Sequence, residues 1–130
     1  MRVPHILALG ITLILCTLPL RAQLPYVETA ILMRDGNALR ADLYHNGGTA
    51  EKPVILVQTP YNKALYRIRL GLPSNSTFPL DTAQYHYAFV DWRGFFASSG
   101  AAVAGYDRGL DGYDVVDWLA TQPWCNGKVA

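Results

Sequence analysis

The sequence predicts an α/β domain: a mixed, mostly parallel sheet, opened by an antiparallel hairpin and crossed by helices. Three observations predict it. Asp35-Gly36 lies between two stretches rich in β-formers, the pattern of a hairpin turn. Residues 53–58 (PVILVQ) and 85–90 (YHYAFV) are short apolar runs, as in strands buried on both faces. Residues 110–122 repeat their apolar positions at helical spacing, and a further strand begins at Val129. Strands that alternate with helices form parallel sheets, and such sheets carry their functional groups at the carboxyl ends of the strands.

The chain has 130 residues, is 51% hydrophobic and carries a formal net charge of +1. That composition fits one packed domain, or part of a larger one, and argues against disorder. The near-neutral charge and the lack of a Lys/Arg cluster argue against a dedicated nucleic-acid binder. Residues 1–22 stand apart. Arg2, an apolar stretch over 6–18, Pro19 and then Ala22 have the layout of a secretory signal peptide. The stretch is shorter than the roughly 20 residues of a spanning helix, although a retained anchor is the alternative reading. Leu15 is too bulky before Cys16 for a lipoprotein signal. The expectation is an exported protein, periplasmic or secreted, free of the membrane after cleavage, with its domain over residues 23–130. Cleavage leaves Cys125 without a disulfide partner, so it reads as a packed core thiol.

The elements follow in order. Residues 27–33 and 39–44 form the hairpin strands, and the polar segment 47–52 connects them to the apolar strand at 53–58. The loop TPYNK leaves that strand. A short helix is expected over 64–72, then a loop containing the glycosylation sequon Asn75-Ser76-Thr77. The strand at 85–90 runs into the loop DWRGFFASSGA, where Asp91 and Arg93 are expected to pair and pin the strand end. In the helix, Tyr113, Val115, Val116, Leu119 and Ala120 share the expected core arc, and Asp111, Asp114 and Asp117 share the solvated one. Pro123 stops the helix.

Most candidate constellations fail on chemistry. The three aspartates lack the carbonyl-rich loop of a calcium site, so no metal is expected. Gly127-Lys128 lacks the earlier glycine and the following hydroxyl residue of a phosphate loop. His45, His86 and the serines at 74, 76, 98 and 99 assemble no Ser-His-Asp set, and no Gly-x-Ser-x-Gly elbow exposes a nucleophile. Tyr61 is different. Pro60 fixes the backbone before it at the exit of a buried strand. A phenol there either packs at the loop or donates a hydrogen bond to a developing oxyanion, and the residues alone leave both readings open.

Four blocks in order and spacing carry a resemblance: MRDGNALRADLY, PVILVQTPYNK, YAFVDWRGFFASSG and DGYDVVDWLATQPWCNGKV. From residue 27 to 130 they resemble the amino-terminal part of the cocaine esterase and X-Pro dipeptidyl-peptidase group of serine hydrolases. The resemblance implies an α/β-hydrolase fold, cut before the nucleophile elbow, with the triad's Ser, Asp and His lying beyond residue 130. It implies cleavage of an ester or amide bond in a small-molecule ester or a peptide through an acyl-enzyme, with no cofactor. It also implies that Tyr61, in Pro60-Tyr61-Asn62-Lys63, is the side-chain donor of the oxyanion hole. The alternative reading is a non-catalytic remnant with no activity of its own.

Overall fold

The computed structural model describes residues 25–45, 47, 50–67 and 80–130. The signal-like segment 1–22, the sequon at Asn75 and residues 68–72 of the expected short helix lie outside the described residues. The order is β1 (Val27–Leu32), β2 (Ala38–Tyr44), β3 (Lys52–Thr59), α1 (Ala64–Arg67), β4 (His86–Asp91), a 3-10 helix (Phe96–Ala101), α2 (Arg108–Ala120) and β5 (Cys125–Val129). The strands make a five-stranded sheet in the order β1-β2-β4-β3-β5. β2 pairs antiparallel with both β1 and β4, whereas β3 pairs parallel with β4 and β5. The expected mixed sheet with an opening hairpin is therefore present. Its turn depends on Gly36, which holds a φ of 81° that side chains disfavour.

β4 is buried at every position, which explains its unbroken apolar run. Its two faces serve two clusters. Ala88 and Val90 join Ile31, Leu39, Val54 and the buried face of α2. Tyr87 and Phe89 join Tyr44 on the opposite face. There Tyr66 of α1 stacks on Phe89 at 4.4 Å and Tyr44 meets it edge-on at 5.6 Å. Cys125 is buried in the first cluster, as a packed thiol should be.

Helix α2 departs from expectation in its phase. It starts at Arg108, where the Asp107 carboxylate caps the Gly109 N–H. Its buried residues are Asp111, Val115 and Leu119, spaced four apart on one narrow stripe. Tyr113 and Val116, expected inside, face out at 65% and 40% exposure. The physical reason is a long-range partner: Arg93 meets Asp111, so a carboxylate occupies the inner stripe. Asp114 pairs with Arg34, which leaves only Asp117 on the expected solvated arc without an ion pair among the described residues.

β5 begins at Cys125, four residues before the expected Val129. Lys52 pairs with Cys125 and Val54 with Val129, so β5 bulges between them. Gly127, at φ 81°, lies in the bulged segment of β5, where a left-handed residue is usual. Among the described residues no helix is long and apolar enough to cross a membrane.

The amino ends of the parallel strands hold a small aromatic group. Trp124 stacks on His45 at 5.0 Å and meets His86 edge-on at 5.6 Å, and His86 Nε2 lies 3.2 Å from the Ala50 carbonyl oxygen. Burial holds His86 below the ordinary histidine value of 6.5, opposed in part by that carbonyl, while Lys52 and His45 add to the lowering. In the unfolded chain the ring would take a proton at its ordinary value. Stability is therefore full above pH 6.5 and falls as pH drops from there towards the lower folded-state value. A His86→Gln variant is expected to lose part of that acid dependence in urea unfolding of the complete protein. A pH profile parallel to wild type would remove His86 as its source.

Candidate active site at the carboxyl edge of the sheet

Thr59 ends β3 and Asp91 ends β4, and the two are register partners. The loops that follow therefore leave the sheet side by side, and the Trp92 N–H donates to the Thr59 carbonyl at 3.0 Å. The first loop is fixed by short-range bonds. The Tyr61 N–H donates to Thr59 Oγ1 at 3.0 Å, and the Ala64 N–H donates to Asn62 Oδ1 at 3.0 Å, opening α1. Asn62 takes a φ of 71°, which turns the chain sharply just after Tyr61. Tyr61 itself is 74% exposed, so its phenol stands clear of the packed loop.

Beneath that loop lies a charged network that sequence reasoning missed. Lys63 is 1% exposed and its Nζ donates to Asp42 Oδ1 at 2.7 Å. Arg67, one helical turn on, donates to both oxygens of Asp42, Nε at 2.6 Å and Nη2 at 2.7 Å, and also to Glu28. Asp42 is wholly buried, and two cations satisfy it. Hydrogen bonding to Asp42 raises the Arg67 guanidinium further, and Arg67 in turn holds Glu28 below the usual carboxylate range. One signal was available: Lys63 and Arg67 stand four apart, on one face of any helix.

The second loop corrects an expectation. Asp91 and Arg93 are not partners. Asp91 accepts backbone N–H groups, from Lys63 at 2.7 Å and from Ala97 at 3.1 Å. Its own carbonyl accepts from Ser98 Oγ at 2.9 Å, and that oxygen accepts the Arg40 N–H. Arg93 turns the other way. It grips Asp111 through Nε at 2.9 Å and Nη2 at 2.6 Å, and reaches Asp35 at 2.8 Å and the Ala101 carbonyl at 3.0 Å. Neighbours at i and i+2 on an extended chain point the same way, but here the strand ends at Asp91. Arg93 already sits in a turn with Gly94, closed by the Phe95 N–H donating to the Trp92 carbonyl at 3.0 Å, which separates the two. The role expected of Arg93, holding the loop at the strand end, is kept with different partners: it ties the loop to α2 and to the hairpin. Asp111, ahead of Asp35, raises the Arg93 guanidinium.

The edge thus presents an exposed phenol on a rigid frame, with Phe95 and Phe96 beside the second loop, 41% and 50% exposed. Such an arrangement can donate one hydrogen bond to an oxygen that gains charge. Ser98 is buried and engaged with backbone, so it is not offered as a nucleophile.

Comparison with known proteins gives a consistent picture. The family model for X-Pro dipeptidyl-peptidase (S15 family) matches residues 35–130. Cocaine esterase of Rhodococcus sp. (strain MB1 Bresler) is 38% identical over 99 residues, covering 75% of this chain and 17% of that protein. The solved structure of an alpha-amino acid ester hydrolase superposes with a TM-score of 0.64 at 25% identity, over 94% of this chain and 24% of its own. An aminopeptidase from a marine sediment Thaumarchaeota archaeon gives a TM-score of 0.59 at 28% identity, over 80% and 20%. The described sheet is that of the amino-terminal part of an α/β-hydrolase. The chain spans about a fifth of the length of these proteins.

Proposed function

Since the chain belongs to the X-Pro dipeptidyl-peptidase (S15) family, whose relatives here are esterases and peptidases, we propose that it is the amino-terminal part of a serine hydrolase. The bond cleaved is an ester or an amide of a small-molecule ester or a peptide, the X-Pro type included. The carrying observation is Tyr61, exposed at the end of β3 on a frame that fixes its backbone. A serine Oγ attacks the scissile carbonyl carbon, and the carbonyl oxygen becomes the oxyanion of a tetrahedral intermediate. Tyr61 Oη donates a hydrogen bond to that oxygen, and the N–H after the serine supplies the second donor. The histidine, which takes the serine proton during attack, gives it to the leaving group as the scissile bond breaks. The alcohol or amine departs, and water then hydrolyses the acyl-enzyme to the free acid and the restored serine. The serine, aspartate and histidine lie in the part of the protein beyond this chain. The same reading takes residues 1–22 as a signal for export; a mature amino terminus other than residue 23 would overturn that boundary.

The test begins with the coding sequence past codon 130. An in-frame Gly-x-Ser-Tyr-x-Gly segment is expected soon after it. The complete protein should then take one fluorophosphonate label on that serine and hydrolyse aryl esters or X-Pro amides. A stop codon directly after Ala130, or a complete protein that takes no label and cleaves neither substrate, would replace this reading with the non-catalytic remnant.

A further inference from the structure

Among the described residues, the non-glycine positions with positive φ are Asn62 at 71° and Phe96 at 41°. Asn tolerates that region, whereas Phe does so rarely, and both persist only where the surroundings hold them. The residues that follow them are Lys63 and Ala97. These supply the two N–H groups that Asp91 accepts, at Oδ1 over 2.7 Å and Oδ2 over 3.1 Å. One carboxylate, with no exposed surface, therefore locks both left-handed turns, one at each strand-end loop.

The Asn62 turn matters for the site because Tyr61 precedes it. At 74% exposure the Tyr61 ring is not aimed by packing, so its backbone must aim it. That backbone is held on one side by Thr59 Oγ1 and on the other by the Lys63 N–H bond to Asp91. Both oxygens of Asp91 are turned inward to these amides, so Asp91 does not touch substrate. We propose that Asp91 is a positioning residue for the oxyanion donor, holding Tyr61 on target through the Lys63 amide. The proposal rests on the reading of Tyr61 given above.

A purely structural Asp91 would cost stability without acting through Tyr61, and a double-mutant cycle in the complete enzyme separates the two. Asp91→Asn keeps one acceptor oxygen and sets an NH2 group against the other amide. A displacement of about 1 Å at a catalytic group costs up to about a hundred-fold in rate, so Asp91→Asn is expected to lower kcat by about ten- to a hundred-fold with KM within about three-fold. Tyr61→Phe should abolish that sensitivity, leaving the double variant within about three-fold of Tyr61→Phe alone. Losses that multiply, or an Asp91→Asn enzyme within about two-fold of wild-type kcat, overturn the positioning role while leaving Tyr61 as the donor. Near-normal turnover of Tyr61→Phe instead overturns the donor reading, and the positioning role with it. Where Asp91→Asn does not fold, Asn62→Val tests the same lock from the other side. A β-branched residue does not tolerate a φ of 71°, so it drives the turn out of the conformation that sets the Lys63 N–H on Asp91, while Asp91 itself is unchanged. Asn62→Val should lower kcat in the wild type and not in Tyr61→Phe; unchanged turnover in the wild-type background overturns the proposal.

Discussion

Replacing Tyr61 with phenylalanine in the complete enzyme is expected to lower kcat by about a hundred- to a thousand-fold, the cost of one oxyanion donor. The loss should fall on kcat, because the hydrogen bond strengthens only as charge develops on the carbonyl oxygen. KM and the thermal midpoint should hardly move. The ring is 74% exposed, and the bonds that shape its loop run through the Tyr61 N–H, Asn62 and Lys63, all kept in the variant. Steady-state kinetics with one activated ester and one X-Pro amide, beside a melting curve, check it. Near-normal turnover on both substrates would return Tyr61 to a loop residue with no catalytic part. A lower midpoint together with lower kcat would show that the ring packs against something it does not touch here.

The elements that rest on local chemistry were legible in the sequence. The hairpin follows from Asp35-Gly36, since Gly36 occupies the left-handed position and Asp35 accepts both the backbone and the side-chain N–H groups of Asn37. The central strand follows from an apolar run that is buried throughout. The loop that carries Tyr61 follows from proline at the end of a strand, whereas the 74% exposure of its ring does not follow from the residues alone. What was hidden depends on partners distant in sequence. Asp111 lies on the inner stripe of α2 only because Arg93 reaches it. Lys63 is buried because Asp42 is buried across the sheet face beneath it. Charged residues default to solvent in any pattern read along the chain, and only the fold brings such pairs together. The 3-10 helix at Phe96–Ala101 is hidden likewise, since the amide of its Ala97 is anchored on Asp91 of another element.

The Arg93–Asp111 pair is where that hidden layer has its largest expected effect on stability. Arg93 is 3% exposed, and its planar fork matches Asp111 with two bonds while also reaching Asp35 and the Ala101 carbonyl. Arg93→Met keeps the bulk and removes the charge, leaving the Asp111 carboxylate buried without its cation. Breaking a buried pair from one side costs about 3–5 kcal/mol, and that loss is expected in urea unfolding of the complete protein. Asp35 contributes little to it, because its side chain is 37% exposed and water can replace the guanidinium. Arg93→Lys should rescue only in part, since one ammonium cannot reproduce the fork across two carboxylates and a carbonyl. The deciding variant is Arg93→Met with Asp111→Leu. If an unpaired buried charge causes the loss, removing both charges recovers most of it, because apolar residues of similar volume replace a buried pair at little cost. If the double variant is no more stable than Arg93→Met alone, the cause is instead the lost tie between α2, the second loop and the hairpin, which no apolar pair can restore. A single variant within about 1 kcal/mol of wild type would mean that Asp111 finds water or protonates, and that this pair does not hold the edge together.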